Sequence, residues 1–268
     1  MATKAGAPRA PEAAGRRPAC PLGPPPAACT PRFAGGPVFT ILDWISLVLF
    51  VAGWILYSFL IERSHWRALT LTAAMNRQRV VWMETMLARE VRIVDTSIVA
   101  GLQNGTAFFA STSLLAIGSA FALMNAADLG IELARHLPGA SQVTRDQWEL
   151  KALGLMGIYG YAFFKFGWSY RLFNYASILM GAMPPASERD TEDARIAARR
   201  AGAMNAAAGR HFNRGLRAFF FSVGYLGWFA SDWAFLVLTL VVLAVLVRRQ
   251  LGSEAARIAR LGDSGLDA

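Results

Sequence analysis

The chain has 268 residues, of which 54% are hydrophobic and 17% charged, and its net charge is +9. Ordinary soluble domains carry about 25% charged residues. Here the deficit falls in long uncharged stretches separated by Arg-rich segments, which points to a polytopic membrane protein and away from a soluble domain or a nucleic-acid binder.

The two cysteines, Cys20 and Cys29, lie near the N-terminus, so the body has no disulfide, iron–sulfur cluster or cysteine nucleophile. Residues 1–37 hold nine of the twelve prolines and five cations. Such a segment buries too little apolar surface to offset its ordering entropy, and the expectation is a disordered tail. Arg16 and Arg17 precede no apolar stretch, which argues against a cleaved signal. The tail reads as dispensable, or as the product of an upstream start. The transmembrane domain is expected over 38–250, with a short polar tail at 251–268.

Four apolar spans follow: 38–61, 97–124, 152 to about 182, and 218–247. Each exceeds the ~20 residues a helix needs to cross the hydrocarbon core. The backbone must satisfy itself there, so the expected class is all-α, with four transmembrane helices. Pro138, Pro184 and Pro185 fall between spans. Between spans one and two, Trp66, Leu69, Ala73, Asn76, Val80, Met83 and Leu87 alternate by three and four and predict an amphipathic loop helix. Between spans three and four, Ser187 and Asp190 predict the start of a second. Cations near the span ends number thirteen on the side of loops 62–96 and 183–217 against eight on the other. The expected topology puts both loops in the cytoplasm of a bacterial inner-membrane protein and both termini outside.

Residues 159–175, YGYAFFKFGWSYRLFNY, are aromatic at nine of seventeen positions, yet include Lys165 and Arg171. Lys165 and Asp232 fall mid-span, where an unpaired charge costs at least ~2.5–3.5 kcal/mol, and the expectation is that they pair. Arg171, Asn174, Gln103, Asn104 and Asp95 are expected to form a polar layer, read either as interhelical glue or as a solute or proton site. Phe164, Trp168, Arg171 and Tyr175 share one face, with Arg171 expected to stack on Trp168. Span 97–124 is rich in small residues, including Gly101 and Gly105, and is expected to be the most buried helix or a homo-oligomer face. Glu62 and His65 form a single Glu-x-x-His, short of the two copies and further carboxylates that di-iron bundles use. No phosphate loop, GxSxG or zinc-protease motif is present, and no cofactor is implied.

The stretches REVRIVDTSI at 89–98, GLQNGTAFFASTSLL at 101–115, KFGWSYRLFNY at 165–175 and HFNRGLRAFFF at 211–221 occur in order. Through them the chain resembles a bacterial membrane family known only as domain of unknown function 599, over roughly residues 40–250. The resemblance implies four helices and membrane residence, and it implies no activity. Three classes therefore remain. Lys165, Arg171 and Asp232 favour a small transporter or channel component, and the small-residue helix with its long loops favours a scaffold or assembly partner. An intramembrane enzyme has no recognisable constellation.

Overall fold

A computed structural model describes residues 39–136 and 143–259, and it is all-α, with no strand among the described residues. The tail expected over 1–37 lies outside the described residues, as does the end of the polar tail from 260 onward. The helices are α1 (Ile41–Glu62), α2 (Leu71–Leu87), α3 (Ile93–Asn125), α4 (Ala127–Arg135), α5 (Arg145–Gly181), α6 (Glu192–Leu226), α7 (Asp232–Val247) and α8 (Glu254–Ile258).

Most helix starts follow from a hydroxyl side chain. Thr40, Thr70, Thr144, Thr191, Ser231 and Ser253 each accept a hydrogen bond from a backbone N–H in the first turn of the helix that follows. At Thr40 the cap is reciprocal, because Asp43 accepts from the Thr40 N–H in return. Thr70 also corrects the first loop. α2 begins after it, and Trp66 and Leu69 belong to a separate 3₁₀ turn, where both are exposed. α2 buries Ala74, Met83, Met86 and Leu87, partly against α6. The second loop helix begins at Glu192, after Thr191, and not at Ser187, which sits in a 3₁₀ turn.

The fourth span is not one helix. α6 ends at Leu226, a 3₁₀ turn covers Gly227–Phe229, and α7 starts after the extended Ser231. The two helices form a tight hairpin. A Cβ on Gly224 would lie 3.3 Å from the Thr239 Cα, and one on Gly227 would lie 2.8 Å from the Ala234 carbonyl. Only glycine leaves room for that approach. Hydropathy alone runs straight through the turn, because the residues around it are apolar.

Contacts along the helices give the directions. α5 runs antiparallel to α6, with Ser169 Oγ donating to the Ala208 carbonyl at 2.7 Å and Phe166 filling the notch at Gly215. α3 runs antiparallel to α5: Trp148 Nε1 donates to the Leu123 carbonyl at 2.8 Å, and Phe109 stacks on Phe166. α1 runs parallel to α7, from the Asp43–Trp228 contact near one end to the Tyr57–Leu246 hydrogen bond near the other. Ile41 and Val247 therefore lie at opposite ends of the bundle. The expectation of both termini on one side rests on a single crossing over 218–247, which the hairpin removes.

Three helices are long and apolar enough to cross a membrane: Ile41–Glu62, Ile93–Asn125 and Asp232–Ile258. α5, home of the expected third span, has 37 residues and extends about 55 Å. It is the packing centre together with α6. α3 is peripheral, contrary to the expectation that it would be the most buried helix. Only Asp95 and a stripe at seven-residue spacing, Val99, Thr106, Ser113 and Ala120, are buried. A Cβ on Gly101, Gly105 or Gly118 would touch nothing. Small residues serve close approach on α6 instead, where Ala194, Ala198, Ala201, Gly202 and Gly209 are buried.

Candidate functional site

Polar groups gather at both ends of the bundle, with rings filling the space between. Phe50, Trp54, Phe221, Tyr225 and Phe235 pack edge-on or stacked, with centroids 4.8–5.7 Å apart.

At the end where α1 and α7 begin, Asp43, Lys151 and Asp232 meet around Trp228. The indole Nε1 donates to Asp43 Oδ1 at 2.8 Å and to Asp232 Oδ1 at 3.1 Å. Lys151 Nζ donates to the Trp228 carbonyl at 2.9 Å and lies 3.7 Å from Asp43 Oδ1. It also sits over the indole ring, 4.8 Å from the centroid. Lys151 is 2% exposed and Asp232 6%. The cluster ties the starts of α1 and α7 to α5 and to the hairpin turn.

Asp232 is thus at a helix start and not mid-span, and it does not meet Lys165. Lys165 lies over its own neighbour Tyr161, 5.0 Å from the centroid, on the stretch of α5 beside Phe166 and Gly215. Its partner is a ring because no acid faces that stretch. Asp43, passed over in the sequence for lying near a span end, is the carboxylate that pairs. Thr40 followed by Asp43 was the available signal, since a capping box fixes where that carboxylate stands.

The expected layer around Arg171 divides. Gln103 Nε2 donates to Asn174 Oδ1 at 2.6 Å, and Ser177 Oγ lies 3.3 Å away, so α3 and α5 are joined there. Asn104 and Arg171 are exposed. Arg171 Nε donates to the Tyr175 hydroxyl at 2.7 Å and its guanidinium lies over that ring, so its aromatic partner is one turn ahead and not Trp168. Asp95 is fully buried elsewhere, accepting from Trp82 Nε1 at 2.7 Å and pairing with Arg89 where α2 leads into α3.

At the opposite end, a cleft of about 370 Å³ opens between the end of α1, α2, α6 and the end of α7. Its cationic lining is Arg63, Arg67, Arg210, Arg214, Arg217 and Arg249, and Glu62 is the one acid among its lining residues. Arg210, Arg214 and Arg217 share a face of α6 by their spacing. Glu62 accepts from Arg214 Nε at 2.9 Å and from Arg217 at 2.7 Å, so two guanidinium groups share one carboxylate. Arg217 is 7% exposed, lies over Tyr57, and one of its terminal nitrogens has no hydrogen-bond partner. Gln250 accepts from the Thr72 N–H and hydroxyl at 3.3 and 3.1 Å, bridging the end of α7 to α2. A second hollow lined by His65, Arg67, Arg77 and Arg210 adjoins the cleft.

A buried donor left unmatched costs about 1–3 kcal/mol, more when charged. Arginine surplus and a free guanidinium N–H together form a site for an oxyanion, since the guanidinium fork matches carboxylate and phosphate. Glu62 entered the sequence reading only as half of a Glu-x-x-His. The cue that could have found the cleft was HFNRGLR after Arg210, which repeats arginine along one helical face.

Comparison with curated proteins and with solved structures returns no match. Residues 45–255 match the family described as protein of unknown function, DUF599, and the chain belongs to that family.

Proposed function

We propose that this integral membrane protein binds a phosphate-type oxyanion in the arginine cleft at one face of the membrane. The observation that carries the reading is Arg217: a nearly buried guanidinium, shared with Arg214 on a single carboxylate, that keeps one donor free in the cleft. A solute carrier or channel component is the wider role the family resemblance and the intramembrane charges suggested. The aromatic packing between the cleft and the Asp43 cluster favours binding at one face over a continuous path. Sodium phosphate or sulfate should raise the unfolding temperature of the detergent-solubilised protein. A ligand at 100 times its Kd stabilises by about 2.7 kcal/mol. Arg217→Gln should remove that response, and an unchanged response in the variant would sink the reading.

We also propose that the arginine end faces the cytoplasm of the bacterial inner membrane, with the start of α1 outside and the end of α7 inside. The charge asymmetry supports it. With α7 parallel to α1, Arg248, Arg249 and Arg257 join the arginines of 63–92 and 189–217, leaving Arg135, Arg145 and Lys151 at the other end. Impermeant maleimide applied to cells carrying a Cys20→Ala, Cys29→Ala background tests this. Asp146→Cys should label and Ser253→Cys should not; labelling of Ser253→Cys from outside contradicts the orientation. Association of two copies through α3 at 97–124 is a further proposal, supported by the open space over Gly101 and Gly105.

A further inference from the structure

The cleft has two chemistries. Arginine lines one side, and Tyr57, Ile61, Leu216, Phe220 and Leu246 line the other. A site built for a free inorganic anion has no use for that apolar wall. Its position supplies the reason for it. Arg63 directly follows α1 and Arg249 lies two residues past α7, the two most apolar helices of the chain. Both arginines are exposed, at the level where acyl chains give way to headgroups. On α1, Leu56 and Phe59 remain 58% and 53% exposed, so the surface that leads toward the cleft is one that lipid covers. Basic pockets between membrane helices suit phosphorylated headgroups.

We propose that the occupant is an anionic phospholipid, its phosphate held by Arg217 and the rim arginines and the start of its acyl chains lying against Phe220 and Leu246. This rests on the oxyanion reading above and adds the hydrophobic half of the ligand. Arg249 stacks over Phe220, 5.7 Å from the ring centroid, and so joins the cationic rim to the apolar wall. A phosphate seated at the rim would therefore bring its ester carbons onto the Phe220 side.

The test uses the full chain in a neutral detergent, titrated with glycerol 3-phosphate, dihexanoylphosphatidic acid and dihexanoylphosphatidylcholine, with binding read from the unfolding temperature. Phosphatidic acid should bind at least about tenfold tighter than glycerol 3-phosphate, because burying a few methylenes contributes that much. Phosphatidylcholine should bind at least about tenfold more weakly than phosphatidic acid, because its choline cation meets a surplus of arginine. Phe220→Ala should bring phosphatidic acid toward the affinity of glycerol 3-phosphate. Arg217→Gln should weaken both anionic ligands. Since that variant removes a buried partner of Glu62, the exposed triple change Arg63→Gln, Arg67→Gln, Arg249→Gln provides a second variant with the same expectation. Equal affinity for glycerol 3-phosphate and phosphatidic acid overturns the lipid assignment and leaves the oxyanion reading standing. No binding of either anion, or equal binding of phosphatidylcholine, overturns both.

Discussion

Replacing Lys151 with Met tests whether the Asp43–Asp232–Lys151 cluster holds the hairpin end of the bundle. Lys151 is 2% exposed, its ammonium is 3.7 Å from Asp43 Oδ1, and its one hydrogen bond goes to the Trp228 carbonyl. Removing it leaves two carboxylates converging on a single indole N–H, with no cation beside them. Breaking a buried pair by deleting one partner costs about 3–5 kcal/mol. That corresponds to a roughly 10²- to 10⁴-fold shift in the folding equilibrium. Asp43→Asn should cost less, because Lys151 then retains Asp232, the Trp228 carbonyl and the indole face. The double variant should recover part of the loss, since it leaves one carboxylate with its Trp228 hydrogen bond. Unfolding titrations with sodium dodecyl sulfate, followed by tryptophan fluorescence, give these free energies directly. The reasoning fails if Lys151→Met is within about 0.5 kcal/mol of the parent, the range of ordinary surface substitutions. It also fails if Asp43→Asn is the more damaging change.

Lys165→Met should cost less than about 1 kcal/mol, since a single partly exposed ring contact is lost, and it should not rescue Asp232→Asn in the same titration. Gly209→Ala should destabilise the contact between α2 and α6 by about 1–3 kcal/mol, because the new Cβ lands on the Arg79 guanidinium; adding Arg79→Ala should relieve the clash, as thermal unfolding of the three variants would report. Gly154→Ala should be costlier than Gly157→Ala on one helix, because the first Cβ would lie 2.1 Å from the Tyr225 hydroxyl and the second meets nothing; equal unfolding temperatures would contradict the packing of α5 against α6. Gly101→Leu and Gly105→Leu should leave monomer stability unchanged and reduce crosslinking between copies, which separates a lipid-facing α3 from an interface.

The all-α class was legible because it depends on apolar length and on the absence of water, both of which can be read one segment at a time. Helix directions were not. A hydropathy window averages over GYLGWFASDW and sees continuous grease. The break depends on Ser231 capping α7 and on Gly224 and Gly227 admitting the facing helix, so it is a matter of backbone geometry and not of polarity. One missed turn then misplaced everything after it. It put Asp232 at mid-membrane, sent the C-terminal arginines to the wrong end, and made Lys165 the nearest available cation.

The two polar sites failed to show for a related reason. In a membrane chain the unusual residue is taken to be the charge inside an apolar run, since that is where charge is expensive. Lys165 and Arg171 are such charges, and the helices resolve them locally, each over a tyrosine one turn away. The charges that organise the structure sit near span ends, where sequence reading discounts them as solvated or snorkelling. Burial there is created by the packing of several helices, as when α5 and the 227–229 turn close over Asp43, or when α2 roofs the face of α6 that carries Arg210, Arg214 and Arg217. Span ends in a bundle of unequal helices are not equivalent to the bilayer surface. Where one helix stops and its neighbours continue, as α1 stops at Glu62 while α5 and α6 run on, a recess forms at headgroup depth. A carboxylate left at such a stop gathers arginines from the longer helices, and a surplus of them over that one acid leaves a cationic opening at the level of lipid phosphates.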